Sequence, residues 1–276
     1  MTGSPADHYA GADTGEAMAD RILAALRAVH GNAPVTPKAL EPLDHFNARG
    51  VAATSKLATL LDPRPGEAVL DIGSGIGGPA RRIAARYDCS VTGVDLTPAF
   101  CAAARALNAA CGLADRVTII EGDATALPLP ALSFDRAYSH GVIMSIADKA
   151  GFYPEAFRIL KPGGRLVLFQ HNAGPNGPPR FPLPWATSAE HSFLATDEET
   201  RRDLIAAGFE VRSLVDATQE NFAAQTELRA RPRDALGMHV LVGDRLRQQR
   251  ENSYTALRDG LARMIEIVAT RPVPTC

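Results

Sequence analysis

The sequence predicts an α/β fold in which a mostly parallel sheet is covered by helices on both faces. Short apolar segments alternate with helix-forming segments from residue 68 onward, which is the pattern of consecutive βαβ units. A glycine-rich turn at 73–78 joins the first of these strands to the first helix. An acid, Asp95, ends the second strand, so both features lie at the carboxyl edge of the predicted sheet.

Two regions precede this alternation. Residues 1–18 are polar and rich in small side chains, and they are predicted to be a flexible N-terminus. Residues 19–62 are predicted to be helical over 19–30 and again over 44–61, with a proline-containing stretch at 34–42 between the two helices. The remaining residues, 63–276, are predicted to form the α/β domain.

Within this domain the spacing of apolar residues positions each element in turn. The predicted strands occupy 68–71, 90–95, 117–121, 134–139, 165–169 and 209–215. The predicted helices occupy 79–86, 98–110, 151–159 and 197–207, and a charged, mostly helical region follows at 233–261. Thr196 and Glu199 have the spacing of a capping box at the start of the fourth of these helices. The stretch 172–184 is too rich in proline and glycine for regular structure, and a loop of this length is usually functional.

The composition excludes several classes of protein. The net charge of -2 gives no global attraction to nucleic acid or to an anionic membrane. No apolar run is long enough to cross a bilayer, and the N-terminus lacks the basic start and apolar core of a secretory signal. The 4 cysteines have no CxxC spacing. We expect a cytoplasmic protein with free thiols and without a nucleic-acid or membrane partner.

The glycine turn is the strongest local motif. Gly73, Gly75 and Gly78 satisfy the G-x-G-x-x-G spacing, and Ser74 and Gly77 complete the turn. Such glycines let the backbone turn tightly and approach a ligand at a helix N-terminus. The spacing suits NAD, FAD or S-adenosylmethionine equally, and a tight turn without any ligand has the same pattern.

Three acids refine this interpretation. Asp95, followed by Leu96, can accept hydrogen bonds from two ribose hydroxyls, although an acid at a strand end can also cap the next helix. Asp71, directly before the turn, would repel a pyrophosphate and attract the ammonium and sulfonium groups of S-adenosylmethionine. In the segment 122–124, Asp123 could accept a hydrogen bond from the adenine amino group, or it could be an ordinary turn residue.

Taken in order along the chain, these motifs resemble those of class I S-adenosylmethionine-dependent methyltransferases. The resemblance rests on 71–78, 94–95, 122–124, 127–129, 133–135 and 158–164. It implies a Rossmann-like, seven-stranded, mostly parallel sheet with an antiparallel last strand at 263–269, and an N-terminal helical lid at 19–62. It also implies S-adenosylmethionine as the cofactor and S-adenosylhomocysteine as the product. The cofactor-binding residues that it implies are Asp71, Gly73, Ser74, Gly75, Gly77, Gly78, Asp95, Leu96, Gly122, Asp123, Ala124 and Ser139.

Further segments resemble the small-molecule members of this family. Residues 77–81, 146–149 and 182–185 are similar to sarcosine and dimethylglycine N-methyltransferases and to tocopherol and sterol C-methyltransferases. A small-molecule acceptor is implied, with methylation at nitrogen, oxygen or carbon left open. Relatives often have Gln-His where this chain has Ser139-His140, and His where Asn47 stands. The acceptor itself is therefore not transferred from the resemblance.

The acceptor is expected beside the ends of the fourth and fifth strands, where His140 and His171 stand. His140 is predicted to be the general base, because histidine titrates near neutral pH, although a structural hydrogen bond is an equal alternative. A loop at about 172–195 is predicted to cover the acceptor. The predicted acceptor-binding residues are His45, Phe46, Asn47, His140, Met144, His171, Asn172 and Trp185.

The remaining polar residues suggest no second site. No metal is predicted, because the histidines and cysteines lack ligand spacing. A basic stretch comprises Arg229, Arg231, Arg233 and the run 245–250. Acids are interspersed within it, so we expect it to be a solvated helix face.

Three other functions stay open. The glycine spacing also fits an NAD-dependent oxidoreductase, although Asp71 opposes it. A nucleic-acid methyltransferase is opposed by the balanced charge and by the segment 139–142, which lacks an Asn/Asp-Pro-Pro-aromatic motif. A non-catalytic protein that binds S-adenosylmethionine could keep the same fold. The oligomeric state is open, with a homodimer as the expectation.

Overall fold

The centre of the protein is a seven-stranded sheet. The computed structural model describes residues 14–45, 47, 49–230, 236–242 and 245–274. The strands are β1 (Ala68–Ile72), β2 (Ser90–Asp95), β3 (Val117–Glu121), β4 (Phe134–His140), β5 (Leu160–Ala173), β6 (Glu210–Asp216) and β7 (Ala262–Thr270). Their order is β3-β2-β1-β4-β5-β7-β6, and only β7 runs antiparallel to its neighbours. The predicted Rossmann-like sheet with an antiparallel last strand is confirmed.

Helices cover both faces of this sheet. They are α1 (Gly15–His30), α2 (Pro37–Asp44), α3 (Gly50–Leu61), α4 (Gly78–Tyr87), α5 (Pro98–Ala110), α6 (Lys149–Ile159), α7 (Asp197–Ala206), α8 (Thr218–Ala230), α9 (His239–Val242) and α10 (Arg245–Arg258). Within the described ranges, no helix combines the length and the apolar character that crossing a membrane requires.

Strand alternation divides the core into two layers. Val69 and Val167 point to one face, where they pack with α3, α4 and α5. Leu70 and Leu168 point to the other face, where they pack with α6 and α7. All four side chains are completely buried, and each such burial stabilises the fold by roughly 1.5–3 kcal/mol. The carboxyl edge of the sheet is thereby held rigidly between the two helical layers.

The N-terminal helices differ from the prediction. The helix α1 begins at Gly15, so 15–18 are not the flexible segment that was predicted, and 1–13 lie outside the described residues. A side chain at Gly15 would meet the carbonyl of Ala99 on α5 at 2.3 Å, so close packing fixes this end of the helix. The predicted helix 44–61 is wrong in its first turn. The chain ends α2 at Asp44 and starts α3 at Gly50.

The C-terminal half also departs from the prediction. The strand β5 runs from Leu160 to Ala173 and has 14 residues, where 165–169 was predicted. A register shift between Phe134 and Arg136 on β4 accommodates its proline and glycines. The helix α8 was not predicted, since its apolar residues have little helical periodicity. The predicted capping box of α7 is confirmed, with Thr196 and Glu199 bonded reciprocally.

Candidate donor and acceptor sites

The main cavity of the protein lies at the carboxyl edge of the sheet and has a volume of about 430 Å³. The chain runs outward from β1 to β3 on one side and from β4 to β5 on the other, so a crevice opens between β1 and β4. The strand β6 ends and β7 begins at this same edge. The helices α8 and α10, which lie between those two strands in sequence, therefore supply the opposite wall.

Most of the predicted donor residues line this cavity. They are Asp71, Gly73, Ser74, Gly75, Asp95, Leu96, Gly122, Asp123 and Ala124. They come from the turns that follow β1, β2 and β3, and each of these turns reaches the same edge because the three strands are parallel. The sequence prediction thus named a group of residues that the fold brings together.

The glycine turn is held by the neighbouring strand. The N–H groups of Gly73 and Ser74 both donate to the carbonyl of Val94, at 2.8 and 3.0 Å. Gly73 has a φ of 82°, and a Cβ there would meet Val142 Cγ2 at 2.3 Å. Because only glycine fits both the conformation and the space, this turn can approach a ligand closely.

Two glycines of the motif, Gly77 and Gly78, lie outside the cavity lining. Gly77 precedes α4 in a left-handed conformation. Gly78 packs against α2, where a Cβ would lie 2.1 Å from the carbonyl oxygen of Asp44. Arg81 then donates to the Asp44 carboxylate at 2.9 Å. Gly78 therefore allows the close packing of α2 and α4, and the predicted contact of Gly77 and Gly78 with the donor stays a prediction.

Asp71 is a buried acid at the end of β1. Tyr138 on β4 donates a hydrogen bond to Asp71 Oδ2 at 2.8 Å. Burial raises the pKa of Asp71 to about 7, the bond from Tyr138 works against this rise, and the charge of Asp95 adds to it. The carboxylate thus lies in an environment that a nearby cation would stabilise. Tyr138 was not predicted, because its contact with Asp71 joins residues 67 positions apart.

Asp95 is fixed by backbone donors on both sides. Gly75 N donates to Asp95 Oδ2 at 2.8 Å, and Thr97 N donates to Oδ1 at 2.9 Å. Burial raises the pKa of Asp95. Asp95 therefore accepts a backbone hydrogen bond at the start of α5, in keeping with one of its two predicted roles. Each of its carboxylate oxygens can still accept a second hydrogen bond, as the ribose role requires.

Asp123 is compatible with both of its predicted roles, as a turn residue and as a contact of the adenine amino group. Its Oδ1 accepts hydrogen bonds from Thr125 N and Thr125 Oγ1, each at 2.8 Å, as in an ordinary turn. The residue nevertheless lines the cavity together with Gly122 and Ala124. Ser139 does not line it. Its Oγ donates to the carbonyl of Ile72 at 2.8 Å, which joins β4 to β1, and its predicted cofactor contact stays a prediction.

His140 ends β4 and lines the cavity. Its ring meets Phe169 edge to face at 5.5 Å, and its buried Nε2 has no hydrogen-bond partner within the described ranges. Burial, together with the charges of Arg49, His45 and His171, lowers the pKa of His140 to about 3. The ring is therefore neutral at physiological pH. His140 was predicted to be the base because histidine usually titrates near neutral pH, and this reason does not apply to the buried ring.

His171 stacks on Trp185 beside it. The two rings lie 4.6 Å apart with an interplanar angle of 24°, and Trp185 Nε1 donates to Ser192 Oγ at 3.0 Å. Burial lowers the pKa of His171 to about 4. Neither ring nitrogen of His171 has a partner among the described residues. The pair forms a flat, largely apolar wall with two available nitrogens.

Three other predicted acceptor residues have different positions. Asn172 points to the opposite face of β5 from His171, where it donates to Asp197 Oδ1 at 2.9 Å, because β5 continues to Ala173 and its side chains alternate. His45 is buried against Asp44 Oδ1 at 2.7 Å and does not line the cavity. Phe46 lies outside the described residues. Asn47 and Met144 line the cavity as predicted.

Several cavity residues were missed. Arg49 lines the cavity with its guanidinium 2.7 Å from the buried Glu266 Oε1 and over the ring of Phe169. The helices α8 and α10 contribute further polar side chains to the lining: Asn221, Gln225, Arg229, Gln249, Arg250 and Ser253. The sequence treated Arg229 and 245–250 as a solvated face. Arg229 agrees with that prediction, because its side chain is 42% exposed and pairs with Glu251. The structure corrects the prediction for Arg250, which lines the cavity and is only partly exposed.

Comparisons with known proteins agree with this geometry. Residues 70–168 match the family described as "Methyltransferase domain". The chain is 37% identical to 24-methylenesterol C-methyltransferase 2 of Oryza sativa subsp. japonica over 42% of its length. It is 36% identical to phosphoethanolamine N-methyltransferase of Triticum aestivum over 47% of its length. These matches span 32% and 25% of the two relatives, which is less than half of either.

Solved structures resemble the chain over a longer range. Phosphoethanolamine N-methyltransferase 2 of Haemonchus contortus has a TM-score of 0.73 at 21% identity, and covers 98% of this chain and 60% of its own. The [4+2]-cyclase SpnF has a TM-score of 0.68 at 22% identity, and covers 99% of this chain and 98% of its own. These likenesses support the fold. The sequence match to the family described as "Methyltransferase domain" runs from β1 into β5 and includes the glycine turn.

Proposed function

We propose that this protein transfers a methyl group from S-adenosylmethionine to a small molecule bound in the main cavity. The main observation behind the proposal is that the predicted donor-binding acids and the predicted acceptor-binding side chains line the same cavity. Asp71 and Asp95 line one part of it, and His140, His171 and Trp185 line another. Methyl transfer is an in-line displacement, so holding both molecules in one enclosed space supplies much of the catalysis.

The donor is recognised by charge and by hydrogen bonds. Asp71, whose carboxylate a cation would stabilise, faces the ammonium or sulfonium directly or through water. Asp95 accepts from the ribose hydroxyls with the capacity that Gly75 and Thr97 leave free. Asp123 and Ala124 meet the adenine edge. A pyrophosphate would be repelled by Asp71, which disfavours NAD.

His140 is proposed as the proton acceptor on the other side of the methyl group. Its ring is neutral and its Nε2 is unpartnered, so it is in the form that a base requires. A base of low pKa accepts a proton readily only from a strong acid. This favours methylation at an oxygen or a carbon, where the methylated intermediate is strongly acidic. An amine would have to arrive neutral and would gain little from His140.

Flanking segments complete the site in this proposal. Residues 19–62 form a lid over the donor, supported by Asn47 and Arg49 in the cavity lining. Residues 172–195 cover the acceptor, supported by Pro184 and Trp185 in the same lining. A cytoplasmic location and assembly as a homodimer stay predictions from the sequence.

Calorimetric titration with S-adenosylhomocysteine, with NADH in parallel, tests the donor assignment. We expect micromolar binding of S-adenosylhomocysteine and none of NADH. Methyl-labelled S-adenosylmethionine would then be incubated with phenols, alcohols, alkenes, amines and thiols to find the acceptor. Binding of NADH alone would move the protein to the oxidoreductases.

The same screen separates the remaining alternatives. Label incorporated only into added RNA or DNA would indicate a nucleic-acid methyltransferase. Binding without label transfer to any acceptor would favour a protein that uses the fold for another purpose. A [4+2]-cyclase has a similar fold, so the fold alone does not determine which reaction is catalysed.

A further inference from the structure

We infer that Arg250 on α10 binds an anionic group of the acceptor, such as a phosphate, sulfate or carboxylate. This inference rests on the proposed function and adds a substrate class to it. Arg250 lies in the basic stretch that the sequence assigned to a solvated face, yet it lines the main cavity. Its side chain is only partly exposed, and burial lowers its pKa.

Arg250 has no acidic partner among the residues that the structure describes. Within the described ranges, no carboxylate forms an ion pair with it and no hydrogen bond of its guanidinium is found. The other two arginines of the lining are neutralised: Arg49 pairs with Glu266 at 2.7 Å, and Arg229 pairs with Glu251. A partly buried, unpaired guanidinium carries a desolvation cost that an anion in the cavity would offset.

Each acid of the described cavity lining already accepts at least one hydrogen bond from within the protein. Asp44 accepts from Arg81, Asp71 from Tyr138, and Asp95 from two backbone N–H groups. Asp123 accepts from Thr125. The described lining therefore offers positive charge at Arg250 that no internal acid balances, and a guanidinium is suited to bidentate binding of a carboxylate or phosphate.

Neighbouring side chains could complete an anion site. Ser253 lies one helical turn after Arg250 and lines the cavity with Gln249. Gln225 on α8 donates to Ser253 Oγ at 3.3 Å and to Asn221 Oδ1 at 3.1 Å, which ties α8 to α10. These neutral side chains supply hydrogen-bond donors without a competing negative charge.

The test uses the full-length protein saturated with S-adenosylhomocysteine and titrated with inorganic phosphate or pyrophosphate. The variants are Arg250→Gln, which removes the charge, Arg250→Lys, which keeps it, and the exposed Arg247→Gln on the same helix as a matched control. We expect Arg250→Gln to weaken binding of the anion at least tenfold, Arg250→Lys to weaken it less, and Arg247→Gln to change it less than twofold. S-adenosylhomocysteine affinity should change less than twofold in all three.

Thermal unfolding provides the second readout. Without added anion, Arg250→Gln should unfold at the same or a higher temperature than wild type, because it removes an unpaired charge. Wild type should gain stability when pyrophosphate is added, and the variant should not. Anion binding unchanged in Arg250→Gln would overturn the inference. A tenfold loss of S-adenosylhomocysteine affinity would also overturn it, since Arg250 would then bind the carboxylate of the donor. Failure of wild type to bind S-adenosylhomocysteine would instead refute the proposed function.

Discussion

The donor part and the acceptor part of the cavity are built in different ways. The donor part consists of three turns, each directly after a parallel strand, and its acids are held by nearby groups such as Gly75 N and Thr97 N. The acceptor part brings together β4, β5, a loop and two helices that are far apart in sequence. Among the described residues, several of its polar groups have no hydrogen-bond partner, notably His140 Nε2 and both ring nitrogens of His171. Acids that are fixed by hydrogen bonds suit the binding of one cofactor in one orientation. Side chains without a hydrogen-bond partner can instead bind polar groups of a ligand.

Replacing His140 tests the acceptor part with the largest expected effect. We expect His140→Ala to lower kcat about 100-fold for an oxygen or carbon acceptor, which is the lower range for loss of a general base. The affinity for S-adenosylhomocysteine should change less than twofold. Turnover assays and calorimetry measure the two quantities, and Met144→Leu serves as a control that conserves volume in the same lining.

The pH profile of turnover sharpens this prediction. The neutral ring is the active form, and a pKa of about 3 leaves it neutral throughout pH 5 to 8. The kcat of wild type should therefore show no inflection from His140 in that range. An inflection between pH 6 and 7 that disappears in His140→Ala would mean that the ring is more exposed in the working enzyme.

Replacing Asp95 tests the donor part. We expect Asp95→Ala to weaken S-adenosylhomocysteine binding about 30-fold, or about 2 kcal/mol, since a charged acceptor of buried hydrogen bonds is lost. Asp95→Asn should lose less, because its Oδ1 still accepts one hydrogen bond. The exposed Asp115→Ala is the matched control and should bind as wild type does. Unchanged affinity in a folded Asp95→Ala protein would rule out the ribose contact.

Asp71 should make donor binding depend on pH. With a pKa of about 7, Asp71 is mostly protonated at pH 6 and must lose that proton before it stabilises a cation. The affinity for S-adenosylhomocysteine should therefore be about tenfold weaker at pH 6 than at pH 8. In Asp71→Asn this dependence should vanish. Tyr138→Phe removes the hydrogen bond that opposes the rise, so the transition should move to higher pH.

The same two parts differ in how well the sequence predicted them. The donor residues were found because each motif is local: a glycine turn, a strand-end acid and a short turn can be read without knowing the fold. The packing role of Gly78 was not predicted, because it depends on the backbone of Asp44 on another helix. Tyr138 was missed for a related reason, since only tertiary packing brings it to Asp71.

The acceptor residues depended on contacts that the sequence does not encode locally. Arg250 was expected to be solvated, and only the packing of α10 against the carboxyl edge turns it inward. Arg49 lies before α3, and its contact with Glu266 spans 217 positions. The end of β5 was placed four residues early, at Phe169, and this hid the alternation of His171 and Asn172.

Because His171 and Asn172 point to opposite faces of β5, replacing Asn172 should have the smallest effect on catalysis. Asn172→Ala should leave kcat and the KM of the acceptor within twofold of wild type, because the side chain faces away from the cavity. It should instead lower the free energy of unfolding by about 1–3 kcal/mol, since its buried hydrogen bonds to Asp197 and Thr200 are lost. His171→Ala should do the reverse, with a raised acceptor KM and a smaller loss of stability. Steady-state kinetics and chemical denaturation of both variants measure the two effects. A raised KM in Asn172→Ala at unchanged stability would place Asn172 in the acceptor site and require a different register for the end of β5.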